Sequence, residues 1–328
     1  MKTCPDNTVD GSMPCSGHLP TLTGKAPFKE VFGYETLKDE KGEEMHKSKG
    51  NAIWFDDAVE KMGADPMRLL FCLQDPSLEL KFGFNAVKEP KNNINILYNL
   101  SNLIEKSNKT KISKIEDKWI LSRFNSLILT VTEELESLHP HSAARALQDF
   151  WLNDFSRGYI QFVRDRLSEK DKAAKYVMSE VYLGLLKLSA PVIPFITEEI
   201  YQSLRKQFKL KEESIHLTNW PKPNKKLINK QLENNIMHAK EIIQEILSQR
   251  EKAQLGVRWP LKDAEVKTEN PKVKTVKKII EKQTNIKNIK IKKGKLSVKL
   301  NKKLTKELET EGFARELTRR IQSLRKKN

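Results

Sequence analysis

Two lysines flank a small hydroxyl in His46-Lys47-Ser48-Lys49-Gly50, with Gly42-Glu43-Glu44-Met45 before and Asn51 after. The stretch is too polar to pack and has a glycine on either side, so it reads as a loop that can move. A lysine ammonium is a compact point charge that can serve several oxygens. Together with backbone N–H groups, it can stabilise the charge that develops on a phosphoryl or nucleotidyl group during transfer. Lys47, Ser48 and Lys49 are therefore the candidate catalytic residues. The competing reading is a solvated loop in a lysine-rich protein, and five residues alone do not separate the two.

The elements around the loop must position it. Residues Phe28 to Leu37 favour a strand and Asp39 to Gly42 a turn. A helix over about 56–62 follows. Ala64-Asp65-Pro66 opens the next helix with Asp ahead of Pro in its first turn, and Met67, Leu70, Phe71 and Cys72 point inward. From about Phe84 the pattern becomes one of long amphipathic helices. Ile120, Phe124, Leu127, Val131, Leu135 and Leu138 recur at steps of three and four, ending at Pro140. Residues 142–167 repeat the scheme with Leu147, Phe150, Trp151, Phe155, Tyr159 and Phe162. Further helices are expected over 171–189, after Ala190-Pro-Val-Ile-Pro, and over 229–254. Ile215 to Leu217 reads as a short extended piece. Short connections make the helices an antiparallel bundle. Beyond Pro260 the expectation is a strand at 264–267, a helix at 272–282 and a hairpin around Gly294. A last helix from Thr305 carries Leu308, Phe313, Leu317, Ile321 and Leu324. Residues 1–20, broken by Pro5, Gly11, Pro14, Gly17 and Pro20, read as irregular.

At 328 residues there is room for two or three domains, with 38% hydrophobic and 31% charged residues, as in a soluble protein. No apolar run approaches the ~18–20 residues that span a bilayer, and the start lacks the order of a secretory signal. Cys4, Cys15 and Cys72 form no disulfide framework, and no spacing suits a bound metal. A cytoplasmic protein with no membrane partner is expected. The net charge of +17 is uneven, since residues 261–328 hold 22 Lys and Arg against 8 Asp and Glu. Such an end is an electrostatic footprint for a polyanion, RNA foremost, or else plain solvated surface.

Thr23-Gly-Lys-Ala-Pro-Phe-Lys-Glu-Val-Phe-Gly-Tyr-Glu-Thr-Leu, the lysine loop, and Gly63-Ala-Asp-Pro-Met-Arg-Leu-Leu together resemble one stretch of the class I aminoacyl-tRNA synthetases. They look most like the isoleucyl type of archaea and eukaryotes. That family's second signature is a Lys-Met-Ser-Lys-Ser loop, aligned here with Glu44, Met45, His46, Lys47 and Ser48. The resemblance implies that Lys47 contacts the phosphates of ATP, supplied with Mg2+ as the substrate complex. Glu44 and His46 depart from the signature, which opens the first lysine's role to Lys49. The likeness runs through Asp117-Lys-Trp-Ile-Leu-Ser-Arg-Phe, Phe155-Ser-Arg-Gly-Tyr-Ile-Gln-Phe, Ala190-Pro-Val-Ile-Pro-Phe, Val257-Arg-Trp-Pro-Leu and Glu311-Gly-Phe-Ala-Arg-Glu-Leu. At Gly158 the family usually has tryptophan, so the packing of that helix is expected to be incomplete.

The resemblance implies a mainly α chain. Residues 21–83 would end a class I nucleotide-binding, Rossmann-like domain, 84–260 would form the helical anticodon-binding bundle, and 261–328 a small basic α/β module. The family's first signature, His-x-Gly-His, is formed by none of the six histidines. The chain thus looks like the C-terminal part of a ligase and is expected to be inactive by itself. Two roles follow. One is a ligase component that joins a separate N-terminal half to activate isoleucine and transfer it to its tRNA. The other is a stand-alone tRNA-binding module, in which Arg157, Arg164, Arg166, Arg250, Arg258 and Trp259 meet phosphates and splayed bases. Each of those six also reads as a salt-bridge or junction-packing residue, and Trp259 beside Pro260 reads as buried rather than stacked.

Overall fold

The computed structural model describes residues 33–325. The irregular stretch expected at 1–20, Cys4, Cys15 and the first half of the strand expected over Phe28 to Leu37 lie outside them, and of the rest only Leu37 is in a strand. The described residues are mainly helical and form two compact units. One holds residues up to Ala52 together with Gln74–Phe82; the other holds Ile53–Leu73 and the residues from Gly83 onward.

In the first unit, β1 (Leu37–Lys38) pairs in parallel with β2 (Leu80–Lys81), and Glu35 N–H donates to the Pro76 carbonyl at 2.8 Å.

The second unit opens with α1 (Phe55–Met62) and α2 (Ala64–Leu73). Asp65 sits at the start of α2 as its sequence suggests, yet its carboxylate caps another helix. It accepts from the N–H groups of Ile196 (2.6 Å) and Phe195 (3.4 Å) in the first turn of α8 (Pro194–Phe208). Arg68 adds bonds to the carbonyls of Pro191 (2.9 Å) and Val192 (3.1 Å). These contacts fix α2 on a bundle of α3 (Lys88–Leu100), α4 (Ile115–Glu136), α5 (Pro140–Asp149), α6 (Gln161–Ser168), α7 (Lys172–Ser189), α8 and α9 (Lys230–Lys252). On α4 the expected stripe is buried from Ile120 through Val131. The helix stops at Glu136, and Pro140 starts α5 instead of ending α4, because proline's fixed φ and missing N–H suit a first turn. Asp171 caps α7 by accepting from Ala173 (2.8 Å) and Ala174 (3.1 Å), and Asn229 caps α9 through Leu232 N–H (2.9 Å). Ile215–Leu217 is a single 3₁₀ turn, not an extended piece. The Ser214 hydroxyl accepts from His216 N–H and turns the chain there.

Between α5 and α6 the chain widens into a π-helix over Phe150–Ile160, so 140–168 is one continuous rod. Its aromatics fill the bundle's centre. Phe155 stacks 6.2 Å from Tyr159, 6.1 Å from Tyr182 and 6.5 Å from Phe150. Packing around Gly158 is complete, against expectation, since the Trp119 indole reaches over from α4 to fill the space. A Cβ at position 158 would lie 3.0 Å from Trp119 Cη2 and 2.9 Å from the Asn153 carbonyl. The Lys240 ammonium closes the far side, 4.9 Å from the Trp119 ring centre. Alanine would gain about 1 kcal/mol of helix propensity here. Overpacking against a backbone carbonyl and a fully buried indole opposes this by about 1–3 kcal/mol. Gly158→Ala is therefore expected to lower the urea midpoint followed by tryptophan fluorescence. A midpoint at or above wild type would show that this site has slack.

In the C-terminal module, β3 (Leu261–Thr268) leads through a 3₁₀ turn (Pro271–Val276) and α10 (Lys277–Thr284) to β4 (Ile286–Lys293), then β5 (Ser297–Leu300). The hairpin expected around Gly294 does not form. β4 pairs with β3 in parallel, β5 pairs with β3 antiparallel, and the order is β4-β3-β5. Alternation fixes which face of a strand is buried but not its neighbour, and the fully buried Leu261 and Val266 make β3 the central strand. The last helix, α11 (Lys306–Arg325), departs from its expected packing as well. Leu308 is buried and Gly312 lies against Trp259, but Phe313 and Leu317 are 65% and 60% exposed, and Ile321 and Leu324 are exposed too.

Candidate functional site

The lysine loop is organised by residues outside it. Asp39 folds the turn after β1, its Oδ1 accepting from the N–H groups of Lys41 and Glu43, both at 2.9 Å. Asn51 closes the loop. Its Oδ1 accepts from His46 N–H at 2.9 Å, while its Nδ2 donates to Asp39 Oδ2 (3.0 Å) and the Glu44 carbonyl (3.1 Å). The Asn51 amide, then the Glu43 N–H, hold the Asp39 carboxyl below its ordinary value of 3.8, so the anchor is ionised at neutral pH.

Within this frame His46 is extended and Lys47–Lys49 make one 3₁₀ turn. Gly50 reverses the chain at φ +69°, a left-handed conformation in which a Cβ is strained, and its N–H returns to the Lys47 carbonyl at 3.2 Å. Lys47, Ser48 and Lys49 are all exposed. Lys47 and Lys49 thus flank Ser48 in sequence on a tight, exposed turn. Glu44, at the position where the signature has a lysine, turns its carboxylate to His46 Nε2 at 3.2 Å. That position supplies no cation. The organising pair Asp39 and Asn51 escaped the sequence reading. Its only signal was an Asx residue at each end of the glycine-bounded stretch.

The six residues proposed for RNA contact divide. Arg157 and Arg164 are exposed, seven residues apart, and Arg157 spends one donor on Asn153 Oδ1 at 3.1 Å. Arg166 is a correction, being buried at the end of α6. It bonds both oxygens of Asp117 (2.9 and 2.7 Å), Glu116 (3.1 Å) and Asp171 (2.9 Å), so its donors serve the fold. Arg250 is a second correction. It is 1% exposed, and its guanidinium bonds the carbonyls of Gly256, Trp259 and Asn285. Helical periodicity did not reveal either burial, because the carboxylates and carbonyls that receive these cations come from other elements. Arg258 is exposed and meets Glu316 at 3.4 Å. Trp259 is half-buried, edge-on to Phe313 at 5.1 Å, which makes it a packing residue of α11. Among the described residues no group of three His, Cys, Asp or Glu gathers as metal ligands, and no helix is long and apolar enough to cross a membrane.

Two family models match the chain: tRNA synthetases class I (I, L, M and V) over residues 18–83, and the anticodon-binding domain of tRNA ligase over 117–268. The isoleucine–tRNA ligase of Thermococcus kodakarensis is 36% identical over 278 residues, covering 79% of this chain and 26% of the relative. That of Pyrococcus abyssi is 34% identical, covering 81% and 27%. That of Methanosarcina barkeri is 33% identical, covering 81% and 28%. The chain spans about a quarter of the length of the curated relatives it matches. Among solved structures, the LeuRS in a LeuRS–tRNA–LeuAMS complex from Agrobacterium radiobacter K84 aligns with a TM-score of 0.52 at 19% identity, over 65% of this chain and 27% of that one. That likeness concerns the fold alone.

Proposed function

Since the chain belongs to the class I aminoacyl-tRNA synthetase family, on its isoleucine–tRNA ligase branch, we propose that it supplies such a ligase with its phosphate-contacting loop and its tRNA-binding bundle. Its partners are the isoleucine-accepting tRNA and a separate N-terminal half, in the cytoplasm. The observation that carries the reading is the exposed Lys47–Lys49 turn, closed by Asn51 onto Asp39. In adenylate formation the isoleucine carboxylate attacks the α-phosphate of ATP and pyrophosphate leaves. Lys47 stabilises the negative charge that builds on the phosphate oxygens, and Lys49 acts from the other side of Ser48. The bundle holds the tRNA so that its acceptor end meets the adenylate, a contribution of proximity.

ATP–pyrophosphate exchange with isoleucine, run with the chain and an N-terminal half together, tests this. Lys47→Ala is expected to slow exchange by about 10²–10³-fold, the usual loss when one preorganised charge-stabilising donor is removed. Affinity for tRNA, measured by filter binding, should stay within about twofold, since a uniform binding contact is not what the loop provides. Undiminished exchange would remove Lys47 from the chemistry. Arg157 and Arg164, exposed on one rod, favour a second reading as a tRNA-binding module without catalysis. Tight tRNA binding with no exchange under any pairing would select it.

A further inference from the structure

An open concavity of about 530 Å3 lies between the segment that follows α3 and the corner joining α6 to α7. Five lysines line it, Lys106, Lys109, Lys170, Lys172 and Lys175, with only Ser, Asn and Thr between them and no carboxylate. The arrangement is built into the fold. The Ser107 hydroxyl donates to the Lys172 carbonyl at 3.0 Å, and the Lys106 ammonium to the Phe208 carbonyl at 3.1 Å. Lys175 pairs with Glu105. The nearby carboxylate of Asp171 is engaged by Arg166 and by the N–H groups of Ala173 and Ala174, which removes it as a competitor for the lysines. Lys109, Lys170 and Lys172 are exposed, and among the described residues none of them pairs with a carboxylate. Lys170 is left-handed, at φ +59°, where it ends α6 through the Asp171 N–H to Arg166 carbonyl bond at 2.9 Å. Glycine or asparagine suits that position better, so the lysine is held there at a backbone cost.

A concave surface of cations and neutral donors fits an oxyanion-rich ligand. It has no aromatic for a base to stack on, and it is too open to strip a small anion of its water. We propose that this corner is a cradle for the phosphodiester backbone of a folded RNA, reading shape and charge and not sequence. The proposal rests on the tRNA-binding reading above and adds to it a contact surface distinct from the basic C-terminal module.

The test compares the whole chain with the triple variant Lys109→Gln, Lys170→Asn, Lys172→Gln, asparagine being chosen because it tolerates the left-handed position. An exposed triple of matched charge, Lys222→Gln, Lys225→Gln, Lys226→Gln, is the control, and thermal melts establish that all three proteins fold. At about 50 mM salt the cradle variant should bind tRNA roughly 10–100-fold more weakly, and its log–log salt slope should be shallower by about 2–3. The control should lose less than about threefold. A cradle variant that binds like wild type or like the control overturns the cradle and leaves the tRNA reading standing. No tRNA binding by the wild-type chain at low salt overturns both. Stoichiometric capture of inorganic tripolyphosphate, abolished in the variant while tRNA affinity is unchanged, makes this a small-anion site and also overturns the RNA assignment.

Discussion

Replacing Arg250 with methionine is expected to loosen the C-terminal module from the bundle and to lower stability by about 3–5 kcal/mol. The guanidinium stands at the end of α9 and joins three carbonyls from three places: Gly256 (3.3 Å), Trp259 (3.0 and 3.1 Å) and Asn285 (3.1 Å). Among the described residues no carboxylate compensates it, and burial pushes its pKa below the ordinary value. Two effects compete on substitution. Removing an uncompensated buried charge relieves a desolvation penalty, which favours methionine. Against this, hydrogen bonds to a charged donor contribute about 1.5–3 kcal/mol each, and buried carbonyls left without donors carry a further penalty. With four such bonds the loss wins. Arg250→Lys should rescue little, since a single ammonium cannot reproduce a planar fork across these acceptors. Hydrogen exchange over 253–328 is the measurement. Protection unchanged in Arg250→Met would show that the junction is held by apolar packing alone.

The second large effect concerns Arg166. Arg166→Met leaves Asp117, which has no exposure, with only the Tyr159 hydroxyl at 2.8 Å as side-chain partner among the described residues, and leaves Glu116 and Asp171 without their shared cation. Breaking a buried pair from one side lowers stability by about 3–5 kcal/mol. For a unit of this size that is a melting temperature lower by roughly 10 °C. Acid should narrow the difference. Burial pushes the Asp171 carboxyl up, but Arg166 and the Ala174 N–H outweigh it and hold the group below its ordinary value of 3.8. A carboxyl depressed on folding adds stability above its unfolded pKa, and that stability fades as pH falls through the folded value. Wild type therefore loses this contribution below about pH 4, while the variant has less to lose. Urea titrations from pH 7 downward should show the two midpoints converging. A constant gap would mean that the arginine acts through packing and not through charge.

What the sequence disclosed, and what it withheld, follows from the range of each signal. Ile120, Phe124, Leu127 and Val131 share a helix face, and local spacing alone predicts their burial. Asp171 and Asn229 cap the helices that begin just after them, again a local matter. Apart from the 3₁₀ turn at Ile215–Leu217 and the start of α5 at Pro140, which local residues set, the errors concern partners distant in sequence. Asp65 caps a helix 130 residues away, β5 passes over β4 to pair with β3, and Trp119 supplies the aromatic missing at Gly158. On α11, spacing identified an apolar stripe correctly, but nothing in the period says whether a stripe is covered. At the lysine loop the residue types suggested phosphate chemistry, whereas Asn51, which shapes the loop, has no apolar pattern to announce it.

The β4-β3-β5 order makes β4 and β5 edge strands, the template on which a second molecule could add a strand, and on β4 the Ile289 N–H is already taken by Glu281 Oε1 at 3.0 Å. Lys287, Lys290, Lys292 and Lys293 project from β4 and Lys299 from β5, all exposed. Lys287 and Lys292 are engaged by Glu311 (2.7 Å) and Glu265 (3.0 Å), but like charges at Lys290, Lys293 and Lys299 would repel across such a seam and disfavour pairing of the sheet with copies of itself. Part of the positive charge gathered in this module is therefore placed to oppose self-association of the sheet. Neutralising it would produce clumping that is easily mistaken for lost affinity toward nucleic acid.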